Sequence, residues 1–158
     1  MPALLHRLLR GPLPPPTAVS RGPLPPLDPL CRIYSYPFDV DTPDMPGVWQ
    51  ATGGNPLGCK RVAPTDNYSV TYPTVPGRTW QACADTQGLA GFHEVRMQYL
   101  QGAAVLQTVT SGGGRSDVGV YNRWCTDLPA AAPAFTDGVR FYLNCTGDTL
   151  VDNVVLQC

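Results

Sequence analysis

Six cysteines stand singly along the chain, at Cys31, Cys59, Cys83, Cys125, Cys145 and Cys158. None forms a C-x-x-C pair, the spacing that presents two thiolates to zinc or to a redox partner. An even number of isolated cysteines in a small, Gly- and Pro-rich chain fits disulfide bridges made in an oxidising compartment, against the plainer alternative of six buried thiols. Asn67-Tyr68-Ser69 and Asn144-Cys145-Thr146 both satisfy the N-glycosylation pattern and point to the same secretory route.

Catalytic patterns are sparse. His93-Glu94 lacks the second histidine of a metalloprotease helix, and no G-x-S-x-G is present. Gly112, Gly113 and Gly114 precede Arg115 and could cradle an anion, but no Gly-Lys-Ser/Thr follows, so a hairpin turn is the better reading. A carboxylate pair for glycan hydrolysis has no fixed spacing in sequence. The chain therefore reads as a binding or structural module rather than an enzyme.

Binding groups are easier to find. Sugars need aromatic rings for their apolar faces and planar polar groups for their hydroxyls. Trp80 follows the turn residues Pro76-Gly77, and Tyr121 and Arg123 alternate with Val120 and Trp124, which marks Trp80, Tyr121 and Arg123 as candidate ligand residues. Trp49 reads as core. In the final segment, alternation sets Asp152 on the same side as Leu150, Val154 and Leu156. A carboxylate on an apolar face must be paired, hydrogen-bonded or bound to a metal, and oxygen ligation would suit Ca²⁺.

The elements that position these groups are short strands. Tyr68, Val70 and Tyr72 alternate with Asn67, Ser69 and Thr71; Val95, Met97 and Tyr99 with Glu94, Arg96 and Gln98; Val139, Phe141 and Leu143 with Arg140, Tyr142 and Asn144. Period two predicts half-buried strands with both sequon asparagines facing outward, and His93 packed beside Val95. Further strands are expected at 31–38, 47–51, 103–110, 117–124 and 149–158. No segment reads as helix. The expected fold is all-β: a two-sheet antiparallel β-sandwich, or jelly roll, stapled by disulfides.

Residues 1–30 hold nine prolines and read as a disordered or stalk segment before a β-sandwich domain at 31–158. Arg7, Arg10 and Arg21 occur there with no acid before Asp28, and no signal peptide is evident. The cysteines and sequons carry the expectation of a secreted or extracellular protein. Charged residues are 15% of the chain and the net charge is −1, so the basic footprint of a nucleic-acid binder is missing. No apolar run is long enough for a membrane span.

Leu150-Val151-Asp152-Asn153-Val154-Val155-Leu156 resembles the last strand of jelly rolls in the galactose-binding-like superfamily, which includes many carbohydrate-binding modules. Phe38-Asp39 followed by Gly47-Val48-Trp49 is similar to their opening. The resemblance implies adjacent first and last strands, with a structural Ca²⁺ held by Asp39 and Asp152; Asp41 competes with Asp39 for that role. Adjacent ends would let Cys31 bridge Cys158, leaving Cys59–Cys83 and Cys125–Cys145 as one of several pairings open to six cysteines. It also implies a non-catalytic module binding carbohydrate. A structural glycoprotein of extracellular matrix or cell wall, with carbohydrate or glycoprotein partners, is the second reading, and a polysaccharide-active hydrolase or lyase the third.

Overall fold

In the computed structural model, residues 32–55, 57–111, 114, 119–127 and 131–158 are described. Residues 1–30, Cys31, and Gly112 and Gly113 of the glycine run read as a hairpin turn lie outside that set. Eleven strands run in the order β1 (Ile33–Tyr36), β2 (Val48–Gln50), β3 (Cys59–Val62), β4 (Asp66–Tyr68), β5 (Tyr72–Pro73), β6 (Gln81–Gly88), β7 (His93–Gln101), β8 (Ala104–Thr110), β9 (Asn122–Cys125), β10 (Gly138–Cys145) and β11 (Thr149–Gln157). No helix occurs among the described residues.

The strands form two antiparallel sheets. One has the order β2-β3-β11-β6-β9, with β1 also paired to β11; the other has the order β4-β10-β7-β8, with β5 also paired to β10. The first and last strands are therefore neighbours, joined from Ile33↔Gln157 to Tyr36↔Val154. The core fills the space between the sheets. Val95, Met97 and Tyr99 from β7 and Val139, Phe141 and Leu143 from β10 meet Val62, Ala82, Ala84, Val151, Val154 and Leu156. Fully burying branched or aromatic side chains of this kind stabilises a fold by about 1.5–3 kcal/mol each. His93 is buried with this face, and burial holds its pKa below the ordinary value.

Two strands escaped the sequence reading. In β6, the core-facing positions are Ala82, Ala84 and Thr86, all fully buried; small and polar residues leave no apolar period to detect. In β3, Lys60 has the same parity as Val62 and is also buried, with its ammonium carried out to Asp41 at 2.5 Å. A buried aliphatic stem with a paired head is how lysine lies along an apolar surface.

Asn67 corrects the expected alternation. The ladder with β10 pairs Tyr142↔Tyr68, Leu143↔Asn67 and Asn144↔Asp66, so Asp66 and Tyr68 face away from the core and Asn67 faces in. Its Nδ2 is buried and donates to the carbonyls of Ala63 at 3.2 Å and Thr65 at 2.8 Å. Side-chain closure of the preceding turn claims this asparagine. Asn144 does face outward, half-buried.

The expected cysteine pairing is corrected as well. Cys83 is bonded to Cys125, while Cys59 and Cys145 are free and buried. Cys83 and Cys125 are directly opposed on β6 and β9, with Cα atoms 4.1 Å apart. Cys59 on β3 is separated from β6 by β11. Two strand spacings amount to about 9–10 Å, beyond disulfide reach. Cys145 belongs to the other sheet from Cys125. Cys158 is disulfide-bonded; its expected partner, Cys31, lies outside the described residues.

Candidate functional site

Of the three candidate ligand residues, Trp80 is fully buried. Its Nε1 donates to Thr74 Oγ1 at 2.7 Å and its backbone N–H to the Tyr99 hydroxyl at 3.1 Å. The turn before it feeds directly into the sandwich, so this indole is core and offers no platform. Trp49 packs at the core margin and donates to the Phe38 carbonyl at 2.9 Å.

Tyr121, Arg123 and Asp152 do come together, as a clamp on a loop. The register of β11 against β6 shifts between Asp152 and Val155, and Asn153 takes a left-handed φ of 47°. This bulge resets the alternation. Val151, Val154 and Leu156 reach the core, while Asp152 pairs across from Asp85 on the opposite face, correcting its expected side. The loop between β2 and β3 covers it. Asn55 N–H donates to Asp152 Oδ2 at 2.6 Å and Asn153 N–H to Oδ1 at 2.7 Å. Asn153 Nδ2 donates to Asn55 O and to Asp85 Oδ2, both at 2.8 Å. Arg123 donates to Asp85 at 3.0 Å and to Asn153 O at 2.8 Å, and the Tyr121 hydroxyl to Gly53 O at 2.6 Å. Gly54 is required, since a Cβ there would lie 1.7 Å from the Gly58 carbonyl.

This donor set does not fit Ca²⁺. Both Asp152 oxygens accept backbone amides, and both Asp85 oxygens accept side-chain N–H groups. Asp39 is exposed, Asp41 serves Lys60, and no cluster of three or more metal-binding side chains occurs among the described residues. Calcium needs six to eight oxygens turned toward one point. Here the carboxylates are turned toward N–H donors. Burial raises the Asp152 pKa, the two backbone hydrogen bonds oppose that rise, and Asp85 and Asp39 add to it.

A second constellation escaped the sequence reading. It lies on the five-stranded sheet, on the face turned away from the core. Strand register lays its residues out in rows. Tyr68, Tyr142, Arg96 and Thr110 form one row; Arg140, Gln98 and Thr108 form the next; Asp66, Asn144 and Glu94 flank the first on the other side. The alternating polar positions in β7 and β10 were visible in sequence. Their juxtaposition was not, because it depends on which strands pair.

The side chains of this face hold one another. The Tyr68 and Tyr142 rings stack at 4.7 Å. Arg140 lies 3.9 Å over Tyr68 and Arg96 5.3 Å over Tyr142. Arg96 Nε donates to Glu94 at 2.8 Å, which raises the guanidinium pKa further. Arg140 donates from Nε and Nη2 to Gln98 Oε1, at 3.0 and 2.7 Å, and Gln98 donates to Thr108 at 3.3 Å. Asp66 accepts from Tyr142 and Asn144, both at 2.7 Å. These bonds hold its carboxyl below the ordinary range, while burial, with the bond to Asp66, pushes Tyr142 up to about 12. The result is a set of planar donors and acceptors fixed on rigid strands, as a hydroxyl-rich ligand requires. No enclosed pocket exists among the described residues, so this is an open face.

Neither a family profile nor a curated protein sequence matches this chain. Solved structures do share its architecture. The CBM22-1 and GH10 modules of Clostridium thermocellum endo-1,4-beta-D-xylanase 10B, solved with xylohexaose, align with a TM-score of 0.60 at 11% identity. That alignment covers 79% of this chain and 28% of the xylanase chain. The CBM22-1 xylan-binding domain of Paenibacillus barcinonensis Xyn10C aligns with a TM-score of 0.56 at 10% identity, over 80% of this chain and 94% of its own. The K1 cleaved adhesin domain of Porphyromonas gingivalis Lys-gingipain aligns at 0.50 and 16% identity, over 80% and 98%. At such identities the likeness is one of fold. The jelly roll read from the two ends of the sequence is the jelly roll of these domains.

Proposed function

With a jelly roll shared with xylan-binding modules as the premise, we propose that this chain is a secreted, non-catalytic module that binds carbohydrate on the outer face of its five-stranded sheet. The observation that carries the reading is the row of Tyr68, Tyr142 and Arg96 flanked by Arg140–Gln98 and by Asp66–Asn144–Glu94. Tyr68, half-buried, supplies the aromatic edge. The amides, carboxylates and guanidinia supply in-plane hydrogen bonds to hydroxyls. Each carboxylate is committed to neighbours, Glu94 to Arg96 and Asp66 to Tyr142 and Asn144, which suits recognition better than acid–base turnover. The Cys83–Cys125 bridge supports an extracellular setting.

The test is retention of the purified protein on insoluble and soluble polysaccharides, with affinity electrophoresis of Tyr68→Ala beside the unmodified chain. Retention on at least one polysaccharide, weakened tenfold or more by Tyr68→Ala at unchanged melting temperature, is the expected result. Retention untouched by that substitution would move the site elsewhere, and no retention on any polysaccharide would remove the reading.

One observation favours the structural-glycoprotein alternative. Asn144, in the sequon Asn144-Cys145-Thr146, lies within this same face. A glycan attached there would cover the rows just described. Mass analysis of protein secreted from a eukaryotic host decides between the two: an occupied Asn144 favours the glycoprotein, a bare one the ligand face.

A further inference from the structure

The cations of this chain are not all treated alike. Lys60, Arg61, Arg96 and Arg123 each pair with a carboxylate. Arg140 instead rests on the Tyr68 ring and spends Nε and Nη2 on the amide oxygen of Gln98, with no carboxylate partner among the described residues. A guanidinium carries five donors in a rigid fork, so the Nη1 edge of Arg140 is left for a second acceptor. Its orientation is fixed by the ring beneath and the amide beside it. The nearest anion on the face that is not already paired with an arginine, Asp66, belongs to the row of Asn144. The guanidinium lies over the Tyr68 ring and this carboxylate accepts from the Tyr68 hydroxyl at 3.3 Å, with no ion pair joining the two. The face therefore has a positive end at Arg140 and a negative end at Asp66.

Resting on the carbohydrate reading of this face, we infer that its ligand is an anionic glycan, with an acidic sugar substituent seated on Arg140. The substituent is a uronate carboxylate or a sulfate ester; both offer a pair of anionic oxygens to the guanidinium fork. The neutral hydroxyls of adjoining sugars then meet Asn144 and Asp66. A fixed guanidinium already stacked on an aromatic loses little freedom on meeting an anion, so its contribution is selective for charge.

The experiment compares three probes: a neutral arabinoxylan, a glucuronoxylan of the same backbone, and a sulfated galactan. Unmodified protein, Arg140→Gln and Arg140→Lys are tested at low and at 0.5 M salt, on the order of a threefold shorter Debye length, with melting temperatures recorded for all three proteins. The unmodified protein is expected to bind an anionic probe at least tenfold more tightly than arabinoxylan, with the difference lost at high salt. Arg140→Gln lowers affinity for the anionic probe at least tenfold more than affinity for arabinoxylan, so the preference is lost; Arg140→Lys keeps part of it, since charge remains and the fork does not. Preference for glucuronoxylan assigns the carboxylate, and preference for the sulfated galactan alone assigns the sulfate ester. Equal binding of neutral and anionic probes by the unmodified protein overturns this inference and leaves the carbohydrate reading standing. Failure to bind any probe or any other polysaccharide overturns both.

Discussion

Asp152→Asn tests whether the buried carboxylate of the last strand is an acceptor for backbone amides. In the native chain its two oxygens take N–H groups from Asn55 and Asn153 at 2.6 and 2.7 Å, and the residue is fully buried. Asparagine keeps one carbonyl oxygen but turns an NH2 group toward the other amide. One charge-assisted bond weakens, and one buried N–H loses its acceptor, together about 2–4 kcal/mol. Removing a carboxylate whose pKa is raised by burial offsets part of this. The expected net loss is about 2 kcal/mol at neutral pH, or roughly 6–8 °C in melting temperature for a domain of this size. Thermal melts by circular dichroism give the global number. Amide hydrogen exchange gives the local one: Asn55 and Asn153 should lose protection while the β7–β10 ladder keeps its own. Calcium or a chelator should move neither protein, because the carboxylate oxygens already serve N–H donors. A variant melting at or above the unmodified protein would refute the clamp, and a calcium-dependent melt of the unmodified protein would refute the reading of the donor set.

Three further outcomes follow from the same geometry. Thiol titration should find Cys59 and Cys145 unreactive in the native state and both reactive in denaturant, since burial raises Cys59 and pushes Cys145 up to about 11; native labelling of either would contradict their burial. Replacing Cys83 and Cys125 by serine opens a sequence separation of 42 and should cost about 4 kcal/mol on the chain-entropy estimate, less if the unfolded chain stays compact, read from urea melts. Asp66→Asn should lower the melting temperature at neutral pH, with the deficit closing as pH falls. Its folded pKa lies below the ordinary 3.8 because Tyr142 and Asn144 donate to it, so its contribution is present above that value and lost as pH falls through the lower folded one. A deficit constant down to pH 2 would show that charge on Asp66 is not what matters.

Period-two alternation in 92–100 and 139–145 was enough to place β7 and β10 and to separate Val95, Met97, Tyr99, Val139, Phe141 and Leu143 from the polar partners that line the opposite face. Side-chain direction along a strand is a local property, so a single sequence carries it. The similarity of Leu150-Val151-Asp152-Asn153 and of Phe38-Asp39 to jelly-roll ends likewise pointed to adjacent termini, and β1 pairs with β11. The cysteine count announced bridges without saying which. Cys83–Cys125 depended on β6 lying beside β9, with Cys59 held off by β11. Strand order is a long-range choice made by the whole core, and no local pattern encodes it.

The same distinction separates the two constellations. Trp80 follows a turn in sequence yet is core, because the strand it opens runs directly beneath the facing sheet. Asp152 was marked by its chemistry, but the bulge at Asn153 decided its side and the covering loop decided its partners. The grid of Tyr68, Tyr142, Arg96, Arg140, Gln98 and Asp66 draws on three strands separated by up to 76 residues. Each residue type was legible as polar or aromatic on its own strand. Only the antiparallel register of β4, β10 and β7 set them within hydrogen-bonding distance, because cross-strand neighbours are fixed by tertiary pairing and not by sequence spacing.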